Sequence, residues 1–367
     1  MFNNNLTYRF LFAGGGTGGH LYPAIAVAQK IKELQPDAEI LFIGTKTKIE
    51  AKVVPALGFN FKPIWISGFS RKFKIDNLLF PLKLLVSVLQ SLIINFKFKP
   101  QVAIGTGAYV SGPAIFGATV MGAKGVLLEQ NSFPGITNRL LEKRVKKIFL
   151  SFEESKRFFK DQNKLEVVGN PVRTDIILSD KIEAKQNFGL NAEKKVIVIV
   201  GGSLGARTIN EAIKKNIDKL LNMNLQILWQ TGERYYENYL PCQSQDVRVV
   251  RYFEDISKAY SAADLLITRA GATTIAELAQ LGLPVIFVPS PNVAANHQYK
   301  NAEVLRKANA AELIKDLDLT ALLPKKINEL ITDDTKLKAL GANIKNFARP
   351  DAANKIASEL IKMASTI

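Results

Sequence analysis

Two glycine-rich stretches carry the residue types and spacing that could do chemistry in this chain. Gly14-Gly15-Gly16-Thr17-Gly18-Gly19-His20 places five glycines in six residues directly before a histidine. Gly201-Gly202-Ser203-Leu204-Gly205-Ala206-Arg207 is a second loop of the same kind. With few side chains in the way, backbone N–H groups can approach a ligand closely. At a helix N-terminus they favour an anion such as a diphosphate. The chain has only two histidines, His20 and His297, and each stands at a helix start. That position disfavours the imidazolium, so His20 reads either as a neutral group able to take a proton or as a residue that only orders its loop. Asn131, at a strand end, reads as a partner for a sugar hydroxyl or as ordinary turn chemistry. Glu277 could bridge ribose hydroxyls, or only favour its helix N-terminus by about 0.3–1 kcal/mol. Arg173, Ser203 and the second glycine loop could meet the charge of a diphosphate without a cation.

Several chemistries are excluded. Gly14, Gly16 and Gly19 satisfy G-x-G-x-x-G, but a dinucleotide site needs an acid at the end of the next strand. That strand, Glu39 to Ile43, runs into Gly44-Thr45-Lys46. A dehydrogenase is therefore disfavoured. No Walker A motif, G-x-S-x-G elbow or Ser-His-Asp order is present. Asp316-Leu317-Asp318 has the form that some sugar transferases use for a metal, but Asp318 reads better as the cap of a helix over 319–331. Two histidines without a cysteine or glutamate at ligand spacing make no metal site. We expect neither metal nor cofactor.

The elements that must hold these residues alternate between apolar runs and amphipathic helices. Arg9 to Ala13 reads as a strand, followed by a helix to Leu34 with Ile25, Ala28, Ile31 and Leu34 on one face. Lys195 to Val200, Leu225 to Gln230, Leu265 to Thr268 and Pro284 to Pro289 read as strands of a second parallel sheet. The helix after the second loop carries Ile209, Ile213, Ile217 and Leu220 on one face. Two strand–glycine loop–helix units in 367 residues predict two doubly wound domains. The expected boundaries are 1–168 and 169–349, with a C-terminal helix over 350–367 that could join either domain.

The formal net charge is +16. Nucleic acid, an anionic membrane and a phosphorylated substrate all fit that sign, but no zinc-finger or RNP-type motif supports nucleic acid. Between Phe69 and Lys99 stand six basic residues and one acidic residue, with an apolar run from Leu78 to Phe96. Pro81, Lys83, Gln90 and Asn95 argue against a membrane span. An interfacial helix on anionic lipid and an ordinary core helix remain open. A lone cysteine, Cys242, suits a reducing compartment, and no signal peptide is visible.

Taken in order, Gly15-Gly16-Thr17-Gly18-Gly19-His20, Glu129-Gln130-Asn131, Gly169-Asn170-Pro171-Val172-Arg173, Gly201 to Arg207 and Gly271-Ala272-Thr273-Thr274 closely resemble the bacterial MurG family. The resemblance runs essentially end to end. It implies a GT-B fold, two Rossmann-like domains whose parallel sheets face an interdomain cleft, the N-terminal one binding acceptor and membrane and joined by the helix over 350–367, the C-terminal one binding UDP-GlcNAc. It implies inverting transfer of GlcNAc from UDP-GlcNAc to lipid I, giving lipid II for peptidoglycan. It also implies peripheral attachment to the cytoplasmic face of the inner membrane through the Phe69–Phe98 region. By the same resemblance His20 is the base, while Thr17, Gly18 and Gly19 lie beside the diphosphates. Asn131 meets a sugar hydroxyl, and Arg173 and Ser203 meet diphosphate. The backbone of Phe253 meets uracil. Ala272, Thr273, Thr274, Ile275, Ala276 and Glu277 form the nucleotide-sugar helix start, and Gln298, with His297, reaches GlcNAc. The family often has His where Leu128 stands and Gln where Leu204 stands, so neither position is assigned a contact. The alternatives are another GT-B UDP-sugar enzyme, such as a glycolipid transferase or UDP-GlcNAc 2-epimerase, and a non-catalytic UDP-sugar-binding membrane subunit.

Overall fold

A computed structural model describes residues 7–68, 78–173, 176–202 and 205–366. The chain divides into two compact units, one of residues 1–173 with 349–367 and one of residues 174–348.

The first unit is built on seven parallel strands: β1 (Arg9–Ala13), β2 (Glu39–Gly44), β3 (Asn60–Pro63), β4 (Val102–Gly105), β5 (Lys124–Glu129), β6 (Lys147–Leu150) and β7 (Leu165–Val167). They lie in the order β3-β2-β1-β4-β5-β6-β7, so the winding reverses between β1 and β4. Helices α1 (Gly18–Leu34), α2 (Glu50–Ala56), α3 (Phe80–Phe98), α4 (Ser111–Val120) and α5 (Ile136–Leu141) connect them. Because successive side chains leave opposite faces of a strand, β1 supplies two cores at once. Phe10 and Phe12 pack with Ile25, Ile31, Ile356 and Leu360. Leu11 and Ala13 pack with Ala114, Ile115 and Ala118. The C-terminal helix of the chain, spanning Ala352–Ser365, thus lies on the same face as α1. Lys147 ties it to the sheet, reaching Glu359 at 3.2 Å and Glu166 at 2.6 Å.

The second unit has six parallel strands: β8 (Lys195–Val200), β9 (Leu225–Gln230), β10 (Val247–Val250), β11 (Leu265–Thr268), β12 (Val285–Phe287) and β13 (Glu312–Leu313). Their order is β10-β9-β8-β11-β12-β13, with the reversal between β8 and β11. Its helices are α6 (Lys181–Asn187), α7 (Arg207–Leu221), α8 (Tyr236–Tyr239), α9 (Ile256–Ala262), α10 (Ala272–Leu281), α11 (His297–Lys307), α12 (Leu319–Ile331) and α13 (Asp334–Lys345), and the C-terminal helix of the first unit is α14. Ile197, Ile199, Ile227 and Trp229 from the strands meet Ile209, Ile213, Leu323 and Ile327 from α7 and α12.

Helix α3 inverts the usual arrangement. Its buried residues are Lys83, Ser87, Ser91 and Asn95, one per turn along a single stripe. The stripe packs on α4, where a Cβ on Gly117 would stand 3.0 Å from that of Ser91. Small side chains let the two backbones approach closely. The leucines are left outside: Leu85 is 58 % exposed, Leu89 52 % and Ile93 57 %.

Candidate active site

The first glycine loop leaves the carboxyl end of β1, at the point where strand order reverses. Ligands of open α/β sheets gather at such a point. Thr17 is the N-cap of α1 in extended conformation and gives no side-chain cap, and Gly18 and Gly19 open the helix. His20 follows in the same first turn. Its Nδ1 lies 2.9 Å from the carbonyl oxygen of Thr106 and 3.1 Å from Gln130 Oε1. A carbonyl can only accept, so Nδ1 carries the hydrogen, and in the neutral ring Nε2 carries the lone pair. Gln130 Nε2 donates to the same Thr106 carbonyl at 2.9 Å, which fixes the amide's orientation. Thr106 Oγ1 in turn donates to the His20 carbonyl at 2.8 Å. Gly107 has a φ of +100°, and a Cβ there would stand 2.7 Å from His20 Nδ1. Only glycine suits both the backbone and the ring. The histidine is therefore gripped by residues following β4 and β5.

Two buried carboxylates support this unit: Glu129 stands in a quoted motif without a role assigned to it, and Glu50 stands in none. Glu50, at the start of α2, is 1 % exposed. It accepts Gly16 N–H on Oε2 at 2.9 Å, and on Oε1 it accepts the N–H and hydroxyl of Thr45 at 2.9 and 2.7 Å. It lies directly under Gly15, where a Cβ would collide with the carboxylate. Glu129 is also 1 % exposed. One oxygen accepts the N–H and Nδ2 of Asn131 at 3.0 and 3.2 Å. The other accepts Gly135 N–H at 3.0 Å and Asn138 Nδ2 at 2.8 Å. Asn131 thus stands at the carboxyl end of β5 with its amide aligned by its neighbour, and its carbonyl accepts Ser155 Oγ. The guanidinium of Arg173 lies 5.5 Å from the ring centre of Tyr22 on α1.

In the second unit the glycine loop leaves the carboxyl end of β8. Ser203 and Leu204 fall outside the described residues. Gly205 has a φ of +75° and packs against the Thr231 backbone. Phe253 is 5 % exposed. Its N–H is donated to Gln230 Oε1 at 2.9 Å. Gly271 caps α10 without a side-chain oxygen, and no acid occupies the first turn. Ala272 and Ile275 are buried; Thr273, Thr274, Ala276 and Glu277 are part-exposed. Glu277 sits in the second helical turn and accepts from the Tyr260 hydroxyl at 3.2 Å. Gln298 Oε1 accepts Ser290 N–H at 2.8 Å, and His297 opens α11 after the left-handed residues Ala295 and Asn296.

The D-x-D motif has another use. Asp316 accepts from Arg269 at 2.5 Å and from the Thr208 hydroxyl at 2.7 Å. Asp318 holds the N-cap position of α12 but its side chain makes no cap bond. Among the described residues no three His, Cys, Asp or Glu side chains gather where they could hold a metal.

Comparison with known proteins agrees with this geometry. The model of the glycosyltransferase family 28 N-terminal domain matches residues 10–150, and that of the C-terminal domain matches residues 196–356. The enzyme named UDP-N-acetylglucosamine--N-acetylmuramyl-(pentapeptide) pyrophosphoryl-undecaprenol N-acetylglucosamine transferase in Flavobacterium psychrophilum is 44 % identical over 362 residues, covering 98 % of each chain. Its namesake in Cytophaga hutchinsonii is 43 % identical over 361 residues, again covering 98 % of each. The crystal structure of Acinetobacter baumannii MurG superposes with a TM-score of 0.77 at 25 % identity, covering 97 % of this chain and 99 % of that one. Two doubly wound units with glycine loops at both switch points make this a GT-B glycosyltransferase of family 28. Within that class, the chain belongs to the MurG family of N-acetylglucosamine transferases.

Proposed function

We propose that the chain moves GlcNAc from UDP-GlcNAc to the MurNAc of undecaprenyl-pyrophosphoryl-MurNAc-pentapeptide, forming lipid II, with inversion at the anomeric carbon. The acceptor hydroxyl oxygen bonds to that carbon as its bond to UDP breaks, and the hydroxyl proton passes to His20 Nε2. The observation that carries this reading is the grip on His20. Both groups facing Nδ1 are acceptors, which supports a ring whose Nε2 is a base. Thr17, Gly18 and Gly19 offer N–H groups to the acceptor diphosphate, and Asn131 aligns a sugar hydroxyl. Arg173, Ser203 and the second loop stabilise the departing UDP. The start of α10 binds the nucleotide sugar, with Glu277 on the ribose, the Phe253 backbone on uracil, and Gln298 and His297 on GlcNAc.

The enzyme works from the inner leaflet of the cytoplasmic membrane as a peripheral protein. Among the described residues only α3 is long and apolar enough to cross a membrane, with a mean hydropathy of 1.3. Its polar stripe is buried against α4, so the helix is fastened to its own unit and offers only its leucine face to lipid. Radiolabelled GlcNAc transfer that requires lipid I tests the proposal. His20→Ala is expected to lower kcat by about 10²–10⁴ with UDP binding unchanged. Turnover of UDP-GlcNAc without acceptor, or a fully active His20→Ala enzyme, would overturn it.

A further inference from the structure

We propose that Gln230 is a positioning residue that locks the diphosphate loop to the base-recognising backbone, so that the two halves of a uridine diphosphate are bound as one unit. The inference rests on the assignment of those two segments to the donor. Gln230 is the last residue of β9, the strand between β8 and β10. It is 2 % exposed. Its Nε2 donates to the carbonyl of Gly202 at 3.1 Å, in the loop after β8. Its Oε1 accepts Phe253 N–H at 2.9 Å, in the segment after β10. One planar amide therefore spans two ligand-facing segments that are not adjacent in the sheet. The next residue extends the bracket: Thr231 N–H donates to Val250 O at 3.0 Å, and the Thr231 carbonyl backs Gly205.

The chemistry at this position is narrow. The bridge needs a donor and an acceptor on one rigid end, about 2 Å apart, which an amide supplies. An ionised carboxylate has no donor, and it would set an oxygen against the Gly202 carbonyl. A thioether fills the space but leaves the buried Phe253 N–H without its partner, and leaves the Gly202 carbonyl with the Gly205 N–H alone of the two donors that reach it. Asparagine is one methylene too short to reach both. Within the loop the Gly202 carbonyl accepts the Gly205 N–H at 3.0 Å, and Gln230 adds a second bond from outside the loop.

Calorimetric titration of the full chain with UDP and UMP, for wild type, Gln230→Glu and Gln230→Met, tests the lock. Gln230→Glu keeps the acceptor for Phe253 N–H but loses the donor to Gly202. The preference for UDP over UMP is expected to shrink about tenfold, with UMP affinity changed less. Gln230→Met loses both bonds, and both nucleotides weaken by about tenfold or more. In steady state the loss falls on KM for UDP-GlcNAc while KM for lipid I is unchanged. A purely structural role would lower melting temperature in both variants yet leave the UDP-to-UMP ratio as in wild type, and that result overturns the inference. A second measurement needs no variant. Uridine, which lacks phosphate, is expected to slow amide exchange in peptides covering both 199–207 and 250–256 of the wild-type enzyme. Protection confined to 250–256 overturns the coupling. Wild type that binds no UDP overturns the donor assignment as well, whereas wild-type binding with unaltered variants refutes the lock alone.

Discussion

Replacing Glu50 by Gln removes one acceptor oxygen from beneath the first glycine loop and leaves the shape unchanged. The carboxylate serves two directions, Oε1 toward the Thr45 N–H and hydroxyl and Oε2 toward Gly16 N–H. A glutamine whose oxygen keeps the Thr45 pair must turn its NH₂ toward Gly16 N–H, donor against donor. The flipped amide keeps the Gly16 bond and can donate to the Thr45 hydroxyl, which turns to accept, but it faces the Thr45 N–H donor against donor, so either arrangement leaves one buried N–H without its acceptor. The cost is one buried bond to a carboxylate and one N–H left unsatisfied, about 2–3 kcal/mol. For a unit of this size that corresponds to a melting point lowered by about 4–12 °C. The loop moves with it, and an error of about 1 Å in a positioned group costs up to about 10² in rate. Scanning calorimetry and steady-state transfer with lipid I varied at saturating UDP-GlcNAc are the assays. The expected pattern is a kcat/KM for lipid I about 10- to 100-fold lower, with KM for UDP-GlcNAc unaltered. Thr45→Val is the control, losing only the hydroxyl bond and about 1 kcal/mol. A Glu50→Gln enzyme within about 1 °C of wild type and with normal lipid I kinetics would show that the loop is not held from below.

Two further outcomes follow from other parts of the first unit. Changing Leu85 and Leu89 together to Asp, on the exposed face of α3, should weaken sedimentation with anionic phospholipid vesicles by about 100-fold or more and leave UDP binding intact; unchanged vesicle binding would remove α3 from the membrane surface. Burial, with the Glu50 carboxylate as a smaller cause, raises the Tyr109 phenol above its ordinary value of 10.0 against a backbone hydrogen bond with Gly68. The folded state then holds this proton more tightly than the unfolded chain. Its stabilisation is present below about pH 10 and is lost as pH rises from there through the folded value, so Tyr109→Phe should flatten the alkaline fall in urea stability.

Much of the scaffold is legible because strands of a parallel sheet covered on both faces are continuous apolar runs. Leu225 to Gln230 and Leu265 to Thr268 are observed with the bounds their composition predicts. A helix over 319–331 is also observed as such, although Asp318 caps it by position only. Two edge elements were not legible. β3, Asn60–Pro63, carries a lysine and a proline and is mostly exposed, and β13 has two residues. Neither produces a run long enough to register. Helix α3 was legible as a helix but not in orientation. Nearly every turn is apolar, so hydrophobicity cannot say which side is covered. The sign lay in Lys83, Ser87, Ser91 and Asn95 at intervals of four, small or long polar residues that allow close packing on Gly117.

The site divides along a similar line. Many of the residues assigned to the ligand lie in loops after strands, and glycine spacing or a strand-end asparagine marks them. Residues that hold those loops are buried side chains of neighbouring elements. Glu50 opens the helix after β2, Glu129 closes β5 and Gln230 closes β9. Glu50 and Gln230 meet backbone groups far away in the sequence, so no local spacing announces them, whereas Glu129 holds the segment that directly follows its own strand. Glycines also have no side chains with which to anchor their stretch of a loop. Bare backbone at the ligand therefore requires a buried polar group from elsewhere in the same unit, and the gripping of Gly16 by Glu50 and of Gly202 by Gln230 meets that requirement in each unit separately.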